Sequence, residues 1–305
     1  MRTIDPKAIS TKELYQYLVS TVNPRPIAFV STVDEEGNPN LAPYSFFNCF
    51  SANPPILVFS ATRRIANNAV KDTLNNIETI GEAVINAVSF RIARQMALTS
   101  IQFPKEVSEF EKSGLTPLPA DLVRPYRVKE SPVQFECKLQ QIVPLGEEGG
   151  AGHLIICRIV RLHIDEAAFD EQDRINPHKL DLIGRMGRAF YVRASGEAIH
   201  RIYQPQDLPA IGFDQLPLSA RRSSILTGNN LGQLAGVQAA PKPEEVRKLR
   251  NETRIRDILS SENRLEELHR YAQVELAKEN VLLAAQIVWL AEEMRGSQDS
   301  QEKSG

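Results

Sequence analysis

Between residues 24 and 62 the chain alternates short β-rich runs with clusters of turn residues. PRPIAFVSTV (24–33) is followed by DEEGNPN (34–40), and LAPYSFFNCFSANPPILVFSAT (41–62) breaks at Asn53-Pro54-Pro55. Runs this short, bounded by Gly, Pro, Asn and Asp, predict an antiparallel meander. The pattern continues with AVINAV (83–88), PVQFECKLQQIVPL (132–145) and HLIICRIVRLHID (153–165), the last two joined by a glycine-rich hairpin turn, GEEGGAG. Helices are expected over 10–20, where Ser10 and Glu13 have capping-box spacing, over 63–82, with Asp72 or Asn67 as cap, and over 91–101. At least six strands with a few helices before residue 200 predict a mainly β barrel or sandwich.

The texture changes near residue 200. Residues 201–243 are rich in Pro, Gly and polar side chains and read as an extended arm. Residues 244–296 are strongly helical, and 297–305 are expected to be disordered. The domain reading is 1–200, 201–243, 244–296 and 297–305. An apolar stripe of Val274, Ala277, Val281, Leu282, Ala285, Val288 and Trp289 is expected to pack on a helix or a second subunit.

Composition narrows the function classes. The hydrophobic fraction, 42%, suffices for a sizeable core, and the formal net charge of −2 argues against a nucleic-acid footprint. Cys49, Cys137 and Cys157 are widely spaced and form no CxxC, so a reducing, cytoplasmic setting is expected. No apolar run reaches a membrane span of about 18 residues, and the charged N-terminus lacks a signal-peptide core. GxGxxG after a strand, GxxxxGK[ST] and HExxH do not occur. His153 and His163, at even spacing on one strand, could share a face. No metal is expected.

What remains is a set of polar residues in the β-rich region. Ser45 and Asn48 stand among Tyr44, Phe46, Phe47 and Phe50, although an unpaired buried polar group costs about 1–3 kcal/mol. Ser31 and Thr32 end one strand, Ser60, Thr62, Arg63 and Arg64 end another, and Lys71-Asp72-Thr73 open a helix. Hydroxyls, cations and a helix start suit a phosphate monoester, and a flat heteroaromatic ring fits strand backbone around Phe46-Phe47. The same residues also read as ordinary strand ends, a helix cap and a solvated arginine pair.

Taken in order, VNPRPIAFVST, NLAPYSFFN, NPPILVFS, KDTLNNIETIGEAVIN and GRMGRAFY (184–191) resemble the flavin reductase-like family with the FMN-binding split barrel. The resemblance covers roughly residues 15–195. It implies a Greek-key-like antiparallel barrel with peripheral helices, here with an α-helical C-terminal extension. It implies that Ser45, Phe46, Phe47 and Asn48 line an isoalloxazine, that Ser31 and Thr32 contact the ring or ribityl chain, and that Ser60, Arg63, Lys71, Asp72 and Thr73 surround the phosphate. It implies a homodimer with the flavin near the subunit interface, where Arg185 and Tyr191 complete the site from either subunit.

The implied cofactor is FMN rather than FAD, since one phosphate cluster is present and no second nucleotide motif. The implied activity is hydride transfer from NAD(P)H to flavin, which asks for no side-chain nucleophile or base, with a monooxygenase or redox protein as recipient. A flavoredoxin-like carrier with tightly held FMN, and a non-enzymatic flavin-binding or assembly protein acting through the helical extension, are the alternatives.

Overall fold

The computed structural model describes residues 1–104, 107–202 and 209–302. The chain forms two compact units, Met1–His200 and Arg201–Gly305.

The first unit holds strands β1 (Ala28–Val33), β2 (Pro39–Tyr44), β3 (Phe47–Ala52), β4 (Pro55–Thr62), β5 (Glu82–Asn86), β6 (Pro117–Leu118), β7 (Arg127–Val128), β8 (Val133–Pro144), β9 (Gly152–Ile164), β10 (Ile183–Gly187) and β11 (Phe190–Arg193). Its helices are α1 (Thr11–Thr21), α2 (Asp72–Ile80), α3 (Ala93–Leu98), α4 (Glu109–Ser113) and α5 (Pro177–Leu180). As the Ser10–Glu13 spacing predicts, the Ser10 side chain accepts from the Glu13 N–H at 3.2 Å and opens α1.

Seven strands pair antiparallel in the order β2-β1-β5-β8-β9-β4-β3, while β10-β11 and β6-β7 form small hairpins. The expected meander is therefore cut in two. β2 pairs with β1, and β3 pairs with β4, so the consecutive strands β2 and β3 end up as opposite edges of the sheet. The cut falls in the bend at Ser45-Phe46. Both edges feed one core, in which Tyr44 from β2 and Phe47 from β3 meet Ala28, Val30, Phe59, Ile85 and Ile155.

β1 shows why a fully buried strand needs two apolar faces. Ala28 and Val30 enter that core, whereas Phe29 points the other way, into a cluster with Leu41, Ile92, Met96 and Phe110. The edges differ. On β2, the Leu41 N–H donates to the Glu109 carboxylate of α4 at 3.1 Å. On β3, Asn48, Cys49 and Phe50 are exposed, Phe50 to 69%.

Helix α2 begins at Asp72, nine residues later than the periodicity suggests. Residues 63–71 are a loop with a turn at 65–67 instead, with Asn68 at φ 57°, and Lys71 occupies the cap position without a side-chain cap bond. That left-handed residue does not fit a continuous helix.

The second unit contains α6 (Leu218–Arg221), α7 (Gly228–Ala235), α8 (Pro243–Leu249), α9 (Thr253–Leu259), α10 (Arg264–Ala277) and α11 (Val281–Glu302). Residues 209–243, expected as an extended arm, are folded into it. Leu216, Ala220, Leu226, Leu234 and Val237 are buried with residues of α8–α11. Thr227 and Asn230 form a capping box on α7, and the Gln273 amide of α10 donates to Ile225 O and Asn230 Oδ1, both at 3.1 Å. Residues 203–208 of that segment lie outside the described residues.

The expected apolar stripe also changes. Val274, Ala277 and Leu282 are exposed, while Tyr271, Ala272, Leu276, Ala284, Ala285, Ile287 and Val288 form the buried face. A turn with Glu279 at φ 63° separates α10 from α11, so one helical phase cannot run across it. Helix α11 runs on to Glu302 through most of the expected disordered tail, and 303–305 lie outside the described residues.

Candidate functional site

The bend between the two sheet edges is where the polar residues gather. Phe46 O accepts the Ser60 N–H at 2.8 Å, which ties the bend to β4. On one side of it lies a group built on Arg25. This arginine is only 6% exposed. Its Nη1 donates to Val19 O at 2.6 Å and Val22 O at 2.5 Å, closing the C-terminus of α1, and its Nε donates to Ser45 Oγ at 3.3 Å. Its guanidinium carbon lies 5.8 Å from the Phe46 ring centroid, and Tyr15 of α1 meets the same ring edge-on at 6.3 Å. The Arg25 and Arg185 backbones exchange two hydrogen bonds, of 2.9 and 2.8 Å, and the Arg185 guanidinium covers the Tyr191 ring at 4.5 Å. Arg25 thus links Ser45 and Phe46 to Arg185, which covers Tyr191, within one chain.

On the other side of the bend is a cationic group at the start of α2. The Lys71 ammonium stands 4.6 Å from the ring centroid of buried Tyr44. Burial pushes the Lys71 ammonium down from its ordinary value, and Arg64 adds to the effect. Burial likewise pushes the Tyr44 phenol up. Arg63 donates Nη1 to Asn68 O at 3.2 Å, but its buried Nε meets no partner. Arg64 donates to the Gln102 side chain. Among the described residues, none of these three cations is paired with a carboxylate. Ser60 is buried at the end of β4 beside them in sequence.

The remaining residues are placed as follows. Thr32 and Thr73 are buried, and their hydroxyls serve an internal network. Thr32 Oγ1 accepts from Asn40 Nδ2 (3.2 Å) and Asn76 Nδ2 (3.1 Å), and Thr73 Oγ1 accepts from Asn40 Nδ2 (2.8 Å). Ser31 follows the opposite face of β1, fully buried, its Oγ without a partner. Phe47 packs on the barrel core. Asn48 is exposed and accepts its neighbour's N–H, from Cys49, at 2.8 Å. Asp72 is exposed in the first turn of α2.

Sequence reasoning passed over Arg25, Tyr15, Tyr44, Asn40 and Asn76. Arg25 carries a signal, being a lone cation between two prolines at the entrance of an apolar strand.

The two histidines of β9 do not share a site. His153 Nδ1 lies 3.3 Å from Ala61 O, while His163 Nε2 lies 2.6 Å from Glu136 Oε1. The fully buried Glu136 carboxylate also accepts the N–H groups of Asp121 (2.8 Å) and Leu122 (2.6 Å), and Asp121 pairs with Arg161 at 2.6 Å. These donors leave the cluster satisfied without an ion. Two surface depressions, of about 400 and 780 Å³, are lined by residues of β8 and β9 together with Glu78 and Pro54, and by none of the predicted site residues.

Comparison with known proteins bears on the family and the fold. The model of the "Flavin reductase like domain" matches residues 20–181. An uncharacterised protein of Aquifex aeolicus is 40% identical over 184 residues, 60% of this chain and 91% of that protein. Nitrilotriacetate monooxygenase component B from Bacillus cereus is 32% identical, with a TM-score of 0.61 over 67% of this chain and 98% of its own. The 2-nitrobenzoate 2-nitroreductase NbaA of Pseudomonas fluorescens is 30% identical, with a TM-score of 0.61 over 69% of this chain and 100% of its own. The barrel-forming sheet, with its edges separated at the Ser45-Phe46 bend, is the split barrel of these proteins, and the chain belongs to the flavin reductase-like family.

Proposed function

We propose that the first unit binds FMN across the Ser45–Phe47 bend and works as an NAD(P)H-dependent flavin oxidoreductase. The observation that carries this reading is the cationic group at the start of α2. Arg63, Arg64 and Lys71 lack carboxylate partners among the described residues, and a buried Arg63 Nε lacks any partner. These half-buried cations carry positive charge that no carboxylate meets among the described residues, and a phosphate monoester supplies the opposing charge. The free N–H groups at the start of α2 add to it.

Arg63, Arg64, Lys71 and Ser60 would hold the phosphate. The Ser45–Phe47 backbone and the Phe46 ring would line the isoalloxazine, with Arg185 and Tyr191 beside Arg25 closing that end. Thr32 and Thr73 support the start of α2 through Asn40 and Asn76, and Asp72 and Asn48 face solvent at the margins. Bound flavin supplies the hydride-accepting N5. The residues orient the ring, exclude water from it and hold positive charge near it. The bare β3 edge with exposed Phe50 would seat a second copy of the chain, and a monooxygenase component would receive the reduced flavin.

The deciding experiment is anaerobic titration of the purified chain with FMN, followed by NADH or NADPH. Flavin binding with bleaching by a nicotinamide is expected. Bound flavin that neither nicotinamide reduces would replace the reductase by an electron carrier, and failure to bind FMN would overturn the proposal.

A further inference from the structure

Arg25 is a buried cation with an unbalanced charge. Its hydrogen-bond acceptors are two main-chain carbonyls and one serine hydroxyl, all neutral. Among the described residues no carboxylate pairs with it. Another cation, Arg185, is joined to it through two backbone hydrogen bonds. Burial pushes the Arg25 guanidinium down from its ordinary value. Tyr15 opposes that effect, and Arg185 adds to it. Removing a charge from water without a counter-ion is costly, and here it happens beside the ring of Phe46.

A buried ion without a counter-ion has a role if negative charge arrives later. Addition of two electrons and one proton, the content of a hydride, gives a flavin ring one net negative charge. Donors already fixed in place stabilise such charge without reorganising. Arg25 is held so by α1, the bend and the β10-β11 hairpin at once.

We infer that Arg25, reinforced by Arg185, is a positioning residue that raises the affinity of the site for reduced over oxidised flavin, by fixing the Ser45-Phe46 bend and placing a positive charge behind it. The inference rests on the reading that flavin lies along this bend.

The test compares the full chain with R25M, R25K and R185M. FMN affinity is measured by fluorescence in the oxidised state and under dithionite, together with the midpoint potential of the bound flavin. R25M is expected to weaken reduced FMN about tenfold more than oxidised FMN, equivalent to a potential about 30 mV lower for a two-electron couple. R25K, which keeps the charge but not the fork, should recover most of that difference. R185M should lower the potential in the same direction by less. Equal weakening of both redox forms in R25M would make Arg25 a structural residue only and overturn the inference. If R25M does not fold, an unchanged oxidised-to-reduced ratio in R185M and R25K overturns it, and a lowered potential in R185M with R25K near the parent supports it. If the unmodified chain binds no FMN, the flavin reading itself fails, an outcome distinct from equal weakening.

Discussion

The ammonium of Lys71 rests on the ring of Tyr44, 4.6 Å from its centroid. The contact sets a cation from the start of α2 against the last residue of β2, next to the bend. If the cation serves a phosphate, K71M should weaken FMN about 10- to 100-fold, in line with the roughly 1.5–3 kcal/mol of a charged hydrogen bond. Riboflavin, which has no phosphate, should lose little. Parallel fluorescence titrations with the two flavins check this, and an equal loss for both would remove Lys71 from the phosphate site.

The Thr32–Asn40–Thr73–Asn76 network predicts a stability effect. Asn76 is buried and donates to Thr32 Oγ1 at 3.1 Å. N76A should destabilise the first unit by about 1–3 kcal/mol, the cost of a lost buried hydrogen bond and its unmet partner. Urea unfolding followed by amide exchange in β1 and α2 measures it, and unchanged protection would show that the network contributes nothing.

Glu136 predicts an acid limb. Burial opposes its ionisation, but the Asp121 N–H, His163 and the Leu122 N–H outweigh burial and hold its carboxyl below the ordinary value of 4.5. The unfolded chain therefore binds this proton more readily than the folded one. The stabilisation is present above pH about 4.5 and is lost as pH falls through the lower folded value. E136Q should be less stable than the parent at pH 7, and the gap should narrow below pH 4 (urea midpoints at pH 7, 5 and 3.5). A constant gap would mean that the charge of Glu136 is irrelevant.

His269 of α10 should make the helical unit sensitive to mild acid. It is buried, and its Nε2 has no partner. Burial lowers its pKa below the ordinary 6.5, against Glu292 and Glu266, which raise it. Again the unfolded chain binds the proton more tightly, so stability is full above 6.5 and declines as pH falls below it. Amide protection factors in α10 and α11, taken against the intrinsic exchange rate at each pH, should fall between pH 6.5 and 5, and H269F should flatten that dependence. An equal fall in both proteins would place the titrating group elsewhere.

Much of this architecture is legible in the sequence, because local rules set it. Ser10 caps α1, and the β-rich runs become strands. The parting of β2 from β3 is not legible, since alternation fixes which side chains face inward and not which strand lies alongside. The folding of 209–243 was hidden by its Pro, Gly and polar content. Its buried leucines are spaced too irregularly to show a helical period, and the long helices that cover them come later in the chain.

For the site, family-like motifs led to the Ser45-Phe46 bend and the Lys71 end, which tertiary contacts show to be neighbours. Alternation does place Ser31 and Thr32 on opposite faces of β1, but only the pairing of β1 with β2 and β5 and the packing of α2 make both faces interior. Arg25 was missed because a buried charge breaks the rule that arginine marks the surface, and only the fold reveals what surrounds it.

The two borders of the sheet are unequal. The β2 border is guarded by the Glu109 carboxylate on the Leu41 N–H, and the β3 border is bare. A sheet able to extend from both sides can add copy after copy into a fibre. One that can extend from a single side is used up when it meets its own kind, because the same border on each copy closes a two-fold pair and leaves no growing end. If copies of this chain pair through the β3 border, as proposed above, the short helix α4 would set a stoichiometric limit, under which association through this sheet stops at two.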